Sequence, residues 1–520
     1  MIIKHILIAF LFSISLLTTG QSRYWVCFSN KKDVSFDPFK YFDAKAIERR
    51  IVNDIPLIDS TDFPLNQNYI GQIQQIANEM GFESRWFNAV SVDASDEQID
   101  QIRNLSFVNG IYTISSSSQI MENDFDTSLT TADYDLLKKQ TSRMQGDLFE
   151  KNGFTGKGIR IAIFDGGFPT VDTSPVFEHI RKENRIIKTF DFTKKKEFVY
   201  SYMSHGTSVM SCIGGKINDI KIGLAVDAEF LLAKTEVVSE PFKEEENWLA
   251  AAEWADKNGA QIINSSLGYT YQRYFYKDMD GQSTFVTKAA NMAASKGILV
   301  VNAAGNEGSN KWKYIGAPAD ADSVLSVGGI NPYSDYHTSF SSFGPTYDKR
   351  LKPNVCAFGH VIVAGKGDLH ETQGTSFASP LVAGFAACAL QTDPNMGNMQ
   401  LFNEIEKSGD LYPYFDYAHG YGVPQASYFT DSKKEQVDPT FLFLKEGDYL
   451  NVMIENQIFD PQSTSYLYYH IQNEKGIIDY YAVINVYQNE ALKIYLPDIK
   501  GKKIIRVHYK KYTEEYQITN

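Results

Sequence analysis

Short apolar runs and helical patterns alternate along the central part of the chain. From about residue 135 to residue 427, each apolar run is followed by a polar or glycine-rich turn. Strands that are apolar on both faces are typical of a parallel sheet covered by helices on both sides. The predicted strands are 160–164, 230–234, 261–264, 298–302 and 324–327, and the predicted helices are 245–258, 285–295 and 380–391. We therefore predict an α/β domain with reactive groups beyond the carboxyl ends of its strands.

The regions on either side have different patterns. Before the central region, predicted strands at 25–28, 86–92 and 108–114 alternate with helices at 44–51, at 69–80 and before Arg103, which indicates a small α+β unit. From about residue 437 apolar and polar residues alternate, as at 492–496 and 505–509, which indicates a separate small β domain. The polar stretch 115–135 is interpreted as an exposed linker in which the chain is cut.

The N-terminus has the pattern of an export signal. Lys4 and His5 precede an apolar run over 6–17, and small or polar residues follow at 18–20. The run is too short for a membrane-spanning helix, so we expect a signal peptide cleaved near Gly20 and a mature chain without a transmembrane segment. The expected location is outside the cell or at its surface. The predicted domains are a signal peptide (1–20), the α+β unit (21–125), the α/β domain (126–428) and the β domain (429–520).

Composition narrows the class of protein. The chain has 520 residues, of which 43% are hydrophobic and 22% charged, so several compact domains are expected. A formal net charge of −13 argues against a nucleic-acid partner, and no stretch has the pattern of a basic groove, since the one positive run, at 194–196, is followed at once by Glu197. Four cysteines are too few for a disulfide-built scaffold and have no metal-ligand spacing. If Cys27 leaves with a removed segment, at least one thiol stays unpaired, as a small buried hydrophobe.

The first candidate for chemistry is Ser376, in the segment GTSFASP at residues 374–380. The serine is expected to begin an apolar helix with Pro380 in its first turn, where a missing N–H is tolerated. Free backbone N–H groups at a helix start suit the oxyanion of a tetrahedral intermediate. A serine that merely caps a buried helix explains this segment equally well.

A serine nucleophile needs a base and a group that orients the base. His205 stands in the segment SHGTS and opens a short apolar helix, and Gly206 lets another part of the chain approach the imidazole. Asp165 ends an apolar strand just before two glycines, where an orienting carboxylate belongs. Taken singly, a histidine is usually a surface or satisfied core residue, and an aspartate after a strand is usually a turn former.

A fourth segment, AAGNEG at residues 303–308, follows the predicted strand 298–302. Asn306 is expected to donate its side-chain amide to the oxyanion, although an ordinary Asn-Glu-Gly turn is the alternative. All four placements fall in one stretch of the chain, in the order Asp165, His205, Ser376. That order separates the subtilisin arrangement from those of chymotrypsin and the α/β-hydrolases. Together the four placements outweigh the structural alternatives.

The segments 161–167, 205–207, 303–308 and 374–380 resemble the signature blocks of the subtilisin family. The resemblance implies a subtilase fold, a catalytic triad of Asp165, His205 and Ser376, and Asn306 as oxyanion donor. It also implies substrate-binding residues, namely Ser265, Ser266, Leu267, Gly268, Ala303, Ala304, Gly305 and Gly316. One departure is Gly166, where subtilisins more often have Thr or Ser, and it leaves the carboxylate in place.

The flanking domains also resemble parts of known proteases. The α+β unit is similar to the inhibitory propeptides of bacterial secreted subtilases, including the stretch 42–50. By resemblance it assists folding and blocks the cleft until it is cut out. The C-terminal β domain resembles, with low specificity, the sorting domains of type IX secretion substrates, and a carbohydrate- or protein-binding module is the alternative.

The expected function is a secreted serine endopeptidase acting on proteins or peptides. A secreted binding or adhesion protein on a catalytically weak scaffold is the alternative. The chemistry requires no cofactor, although many subtilases bind calcium, and Asp278 and Asp280 offer a partial set of oxygen ligands. The glutamates at 236, 240 and 244–246 are either a solvated helix start or a source of preference for basic residues upstream of the cut.

Overall fold

The computed structural model describes residues 22–114, 131–237, 243–271, 273–367, 369–431, 437–455, 465–486, 492–501 and 503–518. The predicted signal peptide with its cleavage site near Gly20, residues 115–130 of the predicted linker and Glu240 lie outside the described residues. The chain divides into two compact units. The first contains the described residues up to 34 and from 64 to 114, and the second contains the described residues from 35 to 63 and from 131 onward.

The helices are α1 Pro38–Tyr41, α2 Ala44–Val52, α3 Gln67–Gln74, α4 Asp96–Arg103, α5 Thr131–Ser142, α6 Gly146–Lys151, α7 Glu178–Lys182, α8 His205–Gly214, α9 Glu244–Lys257, α10 Phe285–Ser295, α11 Thr375–Thr392, α12 Asn398–Lys407 and α13 Ser427–Thr430. None of these helices in the described part of the chain is both long and apolar enough to cross a bilayer.

The strands before the central domain and within it are β1 Ser22–Phe28, β2 Glu79–Ser84, β3 Ala89–Ala94, β4 Val108–Ile114, β5 Arg160–Asp165, β6 Ile186–Asp191, β7 Lys216–Ile217, β8 Ile220–Lys221, β9 Glu229–Lys234, β10 Ile262–Ser265, β11 Leu299–Ala303, β12 Val324–Ile330, β13 Val355–Phe358, β14 His360–Ala364 and β15 Leu369–Gln373. The C-terminal strands are β16 Phe441–Glu446, β17 Tyr449–Ile454, β18 Tyr466–Asn473, β19 Ile478–Asn485, β20 Leu492–Tyr495, β21 Lys503–Tyr509 and β22 Tyr512–Ile518.

The first unit is an antiparallel sheet with two helices. Its strands have the order β2-β3-β1-β4, and α3 and α4 complete the unit. Ser95 and Gln98 form a capping box that starts α4. The helix predicted over 69–80 is wrong in its second half. It ends at Gln74, because residues from Glu79 onward pair with β3.

Residues 35–63 belong instead to the second unit. Arg49 and Arg50 of α2 are both buried and both form ion pairs with Asp256 of α9, and Nη1 of Arg50 lies 2.8 Å from Oδ1 of Asp256. Asp62 accepts from Lys296 at 3.2 Å. Buried charges require such partners, so this network holds residues 35–63 against the α/β domain. The region predicted as one α+β unit is therefore divided between the two compact units.

A seven-stranded parallel sheet forms the centre of the second unit. Its order is β13-β12-β11-β10-β5-β9-β6, and every pairing is parallel. In register, Asp165 lies beside Lys234, and Ser265 lies beside both Phe164 and Asn302. The carboxyl ends of β5, β9, β10 and β11 thus meet at one edge. The predicted α/β fold with a parallel sheet is confirmed, while β6 and β13 were not predicted.

Two predictions about the ends of this domain are wrong. Helix α11 begins at Thr375, five residues before the helical pattern predicted at 380–391, so Pro380 lies in the second helical turn and not in the first. Helix α5 begins at Thr131, within the stretch that was interpreted as linker. Helix α11 packs against β10 to β13 and against α8, which explains why nearly all of it is buried.

The C-terminal strands form two antiparallel sheets that share one core. One sheet has the order β16-β17-β20 and the other β19-β18-β21-β22. Leu450 and Ile494 of the first sheet pack with Ile505 and Val507 of the second. The period-two alternation predicted these strands, because alternate residues of each face the shared core.

Candidate active site

Asp165 is the last residue of the buried strand β5. Its side chain is 1% exposed, and its Oδ1 accepts a hydrogen bond from the backbone N–H of Gly166 at 2.7 Å. The turn after the strand therefore fixes the carboxylate and leaves it facing the carboxyl edge of the sheet, where the neighbouring strands also end.

His205 is the first residue of helix α8, and its imidazole meets this carboxylate. Its Nδ1 lies 2.9 Å from Oδ2 and 3.0 Å from Oδ1 of Asp165. Because an ionised carboxylate only accepts, the proton lies on Nδ1, and Nε2 is the basic nitrogen. The His205 side chain is 12% exposed and lines an open cleft. The pair therefore presents a base with a fixed tautomer to the cleft.

Gly206 allows this approach. A Cβ atom at Gly206 would lie 2.3 Å from the carbonyl oxygen of Gly167 and 3.0 Å from Cβ of Asp165. Since real Cβ atoms do not come that close to backbone oxygen, only glycine permits the start of α8 to pack on the turn after β5. The expectation that Gly206 allows a close contact at the imidazole is consistent with this geometry.

Ser376 is the second residue of α11 and forms a reciprocal pair with Ser266. The Ser376 hydroxyl donates to the Ser266 carbonyl at 3.2 Å, and the Ser266 hydroxyl donates to the Ser376 carbonyl at 2.8 Å. Pro380, four residues further along the helix, has no N–H to donate to the Ser376 carbonyl. Ser266 supplies the missing donor, which explains how a proline is accommodated in the second turn.

Asn306 is held by Thr375, the residue before Ser376. Its Oδ1 accepts from the backbone N–H and from the hydroxyl of Thr375, both at 2.9 Å. A backbone N–H can only donate, so the accepting atom is the amide oxygen and the orientation of the amide is determined. The N–H of Gly305 donates to the Thr375 hydroxyl at 3.2 Å. The amide nitrogen of Asn306 is therefore left for another acceptor.

His205, Asn306 and Ser376 share one cleft that is open to solvent. Its lining residues are His205, Glu236, Glu244, Ser266, Leu267, Gly268, Tyr269, Thr270, Tyr271, Ala303, Gly305, Asn306, Glu307, Asn310, Gly316, Thr375 and Ser376. The predicted substrate-binding residues lie there except Ser265 and Ala304, which are fully buried. Ser265 instead accepts a hydrogen bond from the indole of Trp248 at 3.0 Å.

Sequence reasoning missed Thr375 and the tyrosine pair at 269 and 271. Thr375 is fully buried between Gly305 and Asn306, and only the folded chain brings these segments together. Its position just before the candidate serine was the one available signal. Tyr269 and Tyr271 follow the segment NSSLG, and nothing in their spacing indicates that they line a cleft.

The interpretation of residues 244–246 as a solvated helix start is wrong. All three glutamates are buried. Glu245 accepts from Tyr274 at 2.8 Å and from the backbone N–H of Val286 at 3.0 Å, and it forms an ion pair with Arg273. A buried carboxylate needs partners of this kind. Glu236 and Glu244 instead line the cleft.

The candidate calcium ligands cap local turns. Asp278 accepts from the backbone N–H of Phe275 at 2.8 Å, and Asp280 accepts from the N–H groups of Gln282 and Ser283 at 3.0 and 2.7 Å. Within the described ranges, no group of three or more His, Cys, Asp or Glu side chains is arranged to hold a metal ion. Calcium binding at Asp278 and Asp280 stays a prediction.

A second aspartate–histidine pair lies outside the cleft. His419 Nδ1 is 3.1 Å from both carboxylate oxygens of Asp416, and both side chains are buried. The other ring nitrogen, Nε2, accepts the backbone N–H of His337 at 3.1 Å. Both nitrogens of His419 are therefore used within the fold.

The cysteines form no disulfide. All four are free thiols, and Cys212, Cys356 and Cys388 are buried. Burial raises the pKa of each of these three thiols above the usual value, so they remain protonated at neutral pH. They act as small apolar side chains of the core.

Comparison with known proteins gives two family matches. The profile of the Subtilase family matches residues 156–422, and that of the peptidase S8 propeptide domain of Bacteroidota matches residues 23–128. Alkaline elastase YaB of Bacillus sp. (strain YaB) is 26% identical over 62% of this chain and 79% of its own length. Subtilisin E of Bacillus subtilis is 29% identical over 51% of this chain, which spans 64% of the length of that relative.

One solved structure resembles most of the chain. The epidermin leader peptide processing serine protease of Staphylococcus aureus superimposes with a TM-score of 0.56 at 15% identity, covering 80% of this chain and all of that protein. At this identity the match bears on the fold alone.

Proposed function

Since this chain belongs to the subtilase family of serine peptidases, we propose that it hydrolyses peptide bonds with Ser376 as nucleophile, His205 as general base and Asp165 as the orienting group. The observation that carries the proposal is that His205, which is hydrogen-bonded to the buried Asp165, lines the same cleft as Ser376 and Asn306. Each of the four side chains has the chemistry that its role requires.

The proposed reaction begins when the Ser376 hydroxyl gives up its bond to the Ser266 carbonyl. Its proton passes to Nε2 of His205 as Oγ bonds to the scissile carbonyl carbon. The imidazolium then protonates the leaving amine as the C–N bond breaks, and a water molecule hydrolyses the acyl-enzyme by the same route. Asp165 accepts from Nδ1 throughout, so the positive charge that forms on His205 lies beside a carboxylate.

Asn306 is proposed to stabilise the oxyanion. Thr375 holds the oxygen end of its amide, so the NH₂ group is available as a donor. Ser376 lies in the first turn of α11, where helix geometry supplies no carbonyl partner for its backbone N–H. The two donors together form an oxyanion site that needs little reorganisation during the reaction.

Export and maturation complete the proposal. The N-terminal apolar segment directs secretion, the propeptide region at 23–128 inhibits the enzyme in the same chain, and cleavage follows at 115–135. Proteins or peptides are the substrates. The C-terminal sandwich is proposed as a sorting domain or as a module that binds carbohydrate or protein.

Active-site labelling tests the proposal. A fluorophosphonate probe should label the wild-type protein but not Ser376→Ala, and His205→Ala should label very slowly. N-terminal sequencing of the secreted wild-type protein should give a start within 115–135, and Ser376→Ala should remain unprocessed. If wild-type protein with an intact fold takes no label, the alternative of a catalytically weak binding protein is the better explanation.

A further inference from the structure

Acidic side chains stand along one wall of the cleft. Glu236 follows β9, Glu244 begins α9, and both line the cleft that contains Ser376. They are only 5% and 2% exposed. Among the described residues that line the cleft, there is no lysine or arginine, and the acidic ones are these two and Glu307. The cleft therefore carries a negative potential, which is stronger near buried charges than near solvated ones.

A buried hydroxyl without a partner lies beside these carboxylates. Tyr269 lines the cleft and is 3% exposed, and no described residue hydrogen-bonds to its hydroxyl. Burial raises the pKa of Tyr269 well above its usual value, and the charges of Glu244, Glu245 and Glu236 raise it further, while the charge of Arg273 lowers it in part. The hydroxyl thus stays protonated next to carboxylates. Buried hydroxyls are rarely left without a partner, so this one indicates a place for a ligand group.

Arg273 packs over the ring of Tyr269. The guanidinium of Arg273 lies 4.8 Å from the centre of the ring, and Arg273 also forms an ion pair with Glu245. Glu245 is held in turn by Tyr274 and by the backbone of Val286. Glu245 and Arg273 therefore bind each other within the fold and do not line the cleft, whereas Glu236, Glu244 and Tyr269 do.

We propose that Glu236, Glu244 and Tyr269 form a subsite for a Lys or Arg side chain at one fixed position of the substrate. Two carboxylates accept from a cation, and the tyrosine hydroxyl accepts from the same cation while donating to a carboxylate. The inference rests on the proposed peptidase activity, since it assigns a substrate class to the same cleft. It also selects between the two interpretations of the acidic segment, because solvation no longer explains it.

The first measurement is cleavage of a peptide library by the processed enzyme, which identifies the position of any Lys or Arg enrichment. Two peptides of that sequence then carry either Arg or citrulline, the uncharged isostere, at that position. Wild type should cleave the Arg peptide with a kcat/KM roughly 10- to 100-fold higher, the range for a charge-assisted hydrogen bond. Glu236→Gln and Glu244→Gln should each reduce this ratio, and the double variant should bring it close to one.

Because the ratio is taken within one protein, a smaller folded fraction does not affect it. Tyr269→Phe should reduce the ratio less than either glutamine variant. Glu178→Gln is the matched control, since it removes one negative charge from an exposed pair with Lys182 outside the lining of the cleft. It should leave the ratio unchanged.

Two results would overturn the inference, and they differ in meaning. If the enzyme cleaves the library without Lys or Arg enrichment at any position, or cleaves both peptides equally, the subsite does not exist although the peptidase does. If no peptide is cleaved and no fluorophosphonate label is taken up, the proposed function itself has failed and the subsite fails with it.

Discussion

Two aspartate–histidine pairs in this chain make the same hydrogen bond and have different surroundings. In both Asp165–His205 and Asp416–His419, Nδ1 of the imidazole donates to a buried carboxylate. In the first pair the histidine begins a helix and lines a cleft, whereas in the second its Nε2 accepts the backbone N–H of His337. An aspartate–histidine pair is therefore not in itself a catalytic signature. What matters is where the second ring nitrogen faces.

The largest expected difference between the pairs is in catalysis. His205→Ala removes the proposed general base, and kcat/KM should fall by roughly 10⁴- to 10⁶-fold. His419→Gln should retain wild-type kcat/KM per folded molecule, because His419 lies outside the cleft. The measurement is peptide hydrolysis normalised to folded protein by circular dichroism. Equal losses in the two variants would show that the comparison is mistaken.

For the free energy of unfolding, we expect the second pair to matter more than the first. Asp416 accepts from the backbone N–H groups of Ala418 and His419 at 2.8 and 2.7 Å, and from Tyr414 and the His419 imidazole at 3.1 Å. Asp416→Ala leaves these buried donors without an acceptor, so the free energy of unfolding should fall by about 3–5 kcal/mol.

Urea denaturation provides that measurement, with Asp165→Ala as the comparison. Asp165 loses fewer partners on substitution, so its variant should be less destabilised while losing activity. A larger destabilisation in Asp165→Ala than in Asp416→Ala would contradict the assignment of the second pair to the fold.

Substitution of Asn306 should lower kcat more than substitution of Thr375, which only orients the Asn306 amide. Asn306→Ala should lower kcat by roughly 10²- to 10³-fold, because it removes an oxyanion donor. Thr375→Val keeps the shape but loses the hydroxyl bond to Asn306 and should lower kcat by about 10-fold, with KM little changed. If kcat of Thr375→Val equals that of wild type, or falls below that of Asn306→Ala, Thr375 does not act by orienting the amide of Asn306.

A pH dependence of stability is also expected around the second pair. Burial lowers the pKa of His337 to about 3, and that of His470 and His508 to about 4. The pKa of a histidine in the unfolded chain is about 6.5. Between that pH and the lower folded pKa, the unfolded state therefore binds a proton at each of these histidines and the folded state does not. Stability is therefore complete above about pH 6.5 and should fall towards pH 4, by up to about 1.4 kcal/mol per pH unit for each histidine.

Urea denaturation between pH 7 and pH 4 checks this slope, and His508→Gln should make it shallower. Asp416 contributes outside this window, because His419 and backbone donors outweigh the effect of burial and hold its pKa below its usual value. Its stabilisation is present above the unfolded pKa of about 3.9 and is lost only as the pH falls through the lower folded pKa. A free energy of unfolding that is flat from pH 7 to pH 4 would contradict the buried neutral histidines.

Apolar runs were sufficient to predict most of the central sheet. The strands predicted at 160–164 and 230–234 correspond to β5 and β9. They could be predicted because buried parallel strands are apolar along most of their length. The predicted helix at 285–295 coincides with α10. The position of Pro380 within α11 was predicted wrongly, since a rule that puts proline in the first turn does not foresee that the Ser266 hydroxyl replaces the lost donor.

Charged residues were the hardest to interpret. Residues 244–246 were interpreted as a solvated helix start because acidic residues are favoured there, yet Glu245 is buried and forms an ion pair with Arg273 in the fold. Arg49 and Arg50 likewise form ion pairs with Asp256, which is more than two hundred positions away in the sequence. Such pairs depend on which helices pack together, and a single sequence does not contain that information.

By itself the sequence determined the identity and chain order of Asp165, His205, Asn306 and Ser376, together with the parallel sheet that carries them. Local patterns suffice for this, because strand burial and helix starts depend on neighbouring residues. Only the tertiary structure decided that both ring nitrogens of His419 are used within the fold, that Thr375 orients Asn306, and that Glu236 and Glu244 line the cleft. Those outcomes depend on contacts between distant segments, which form when the chain folds.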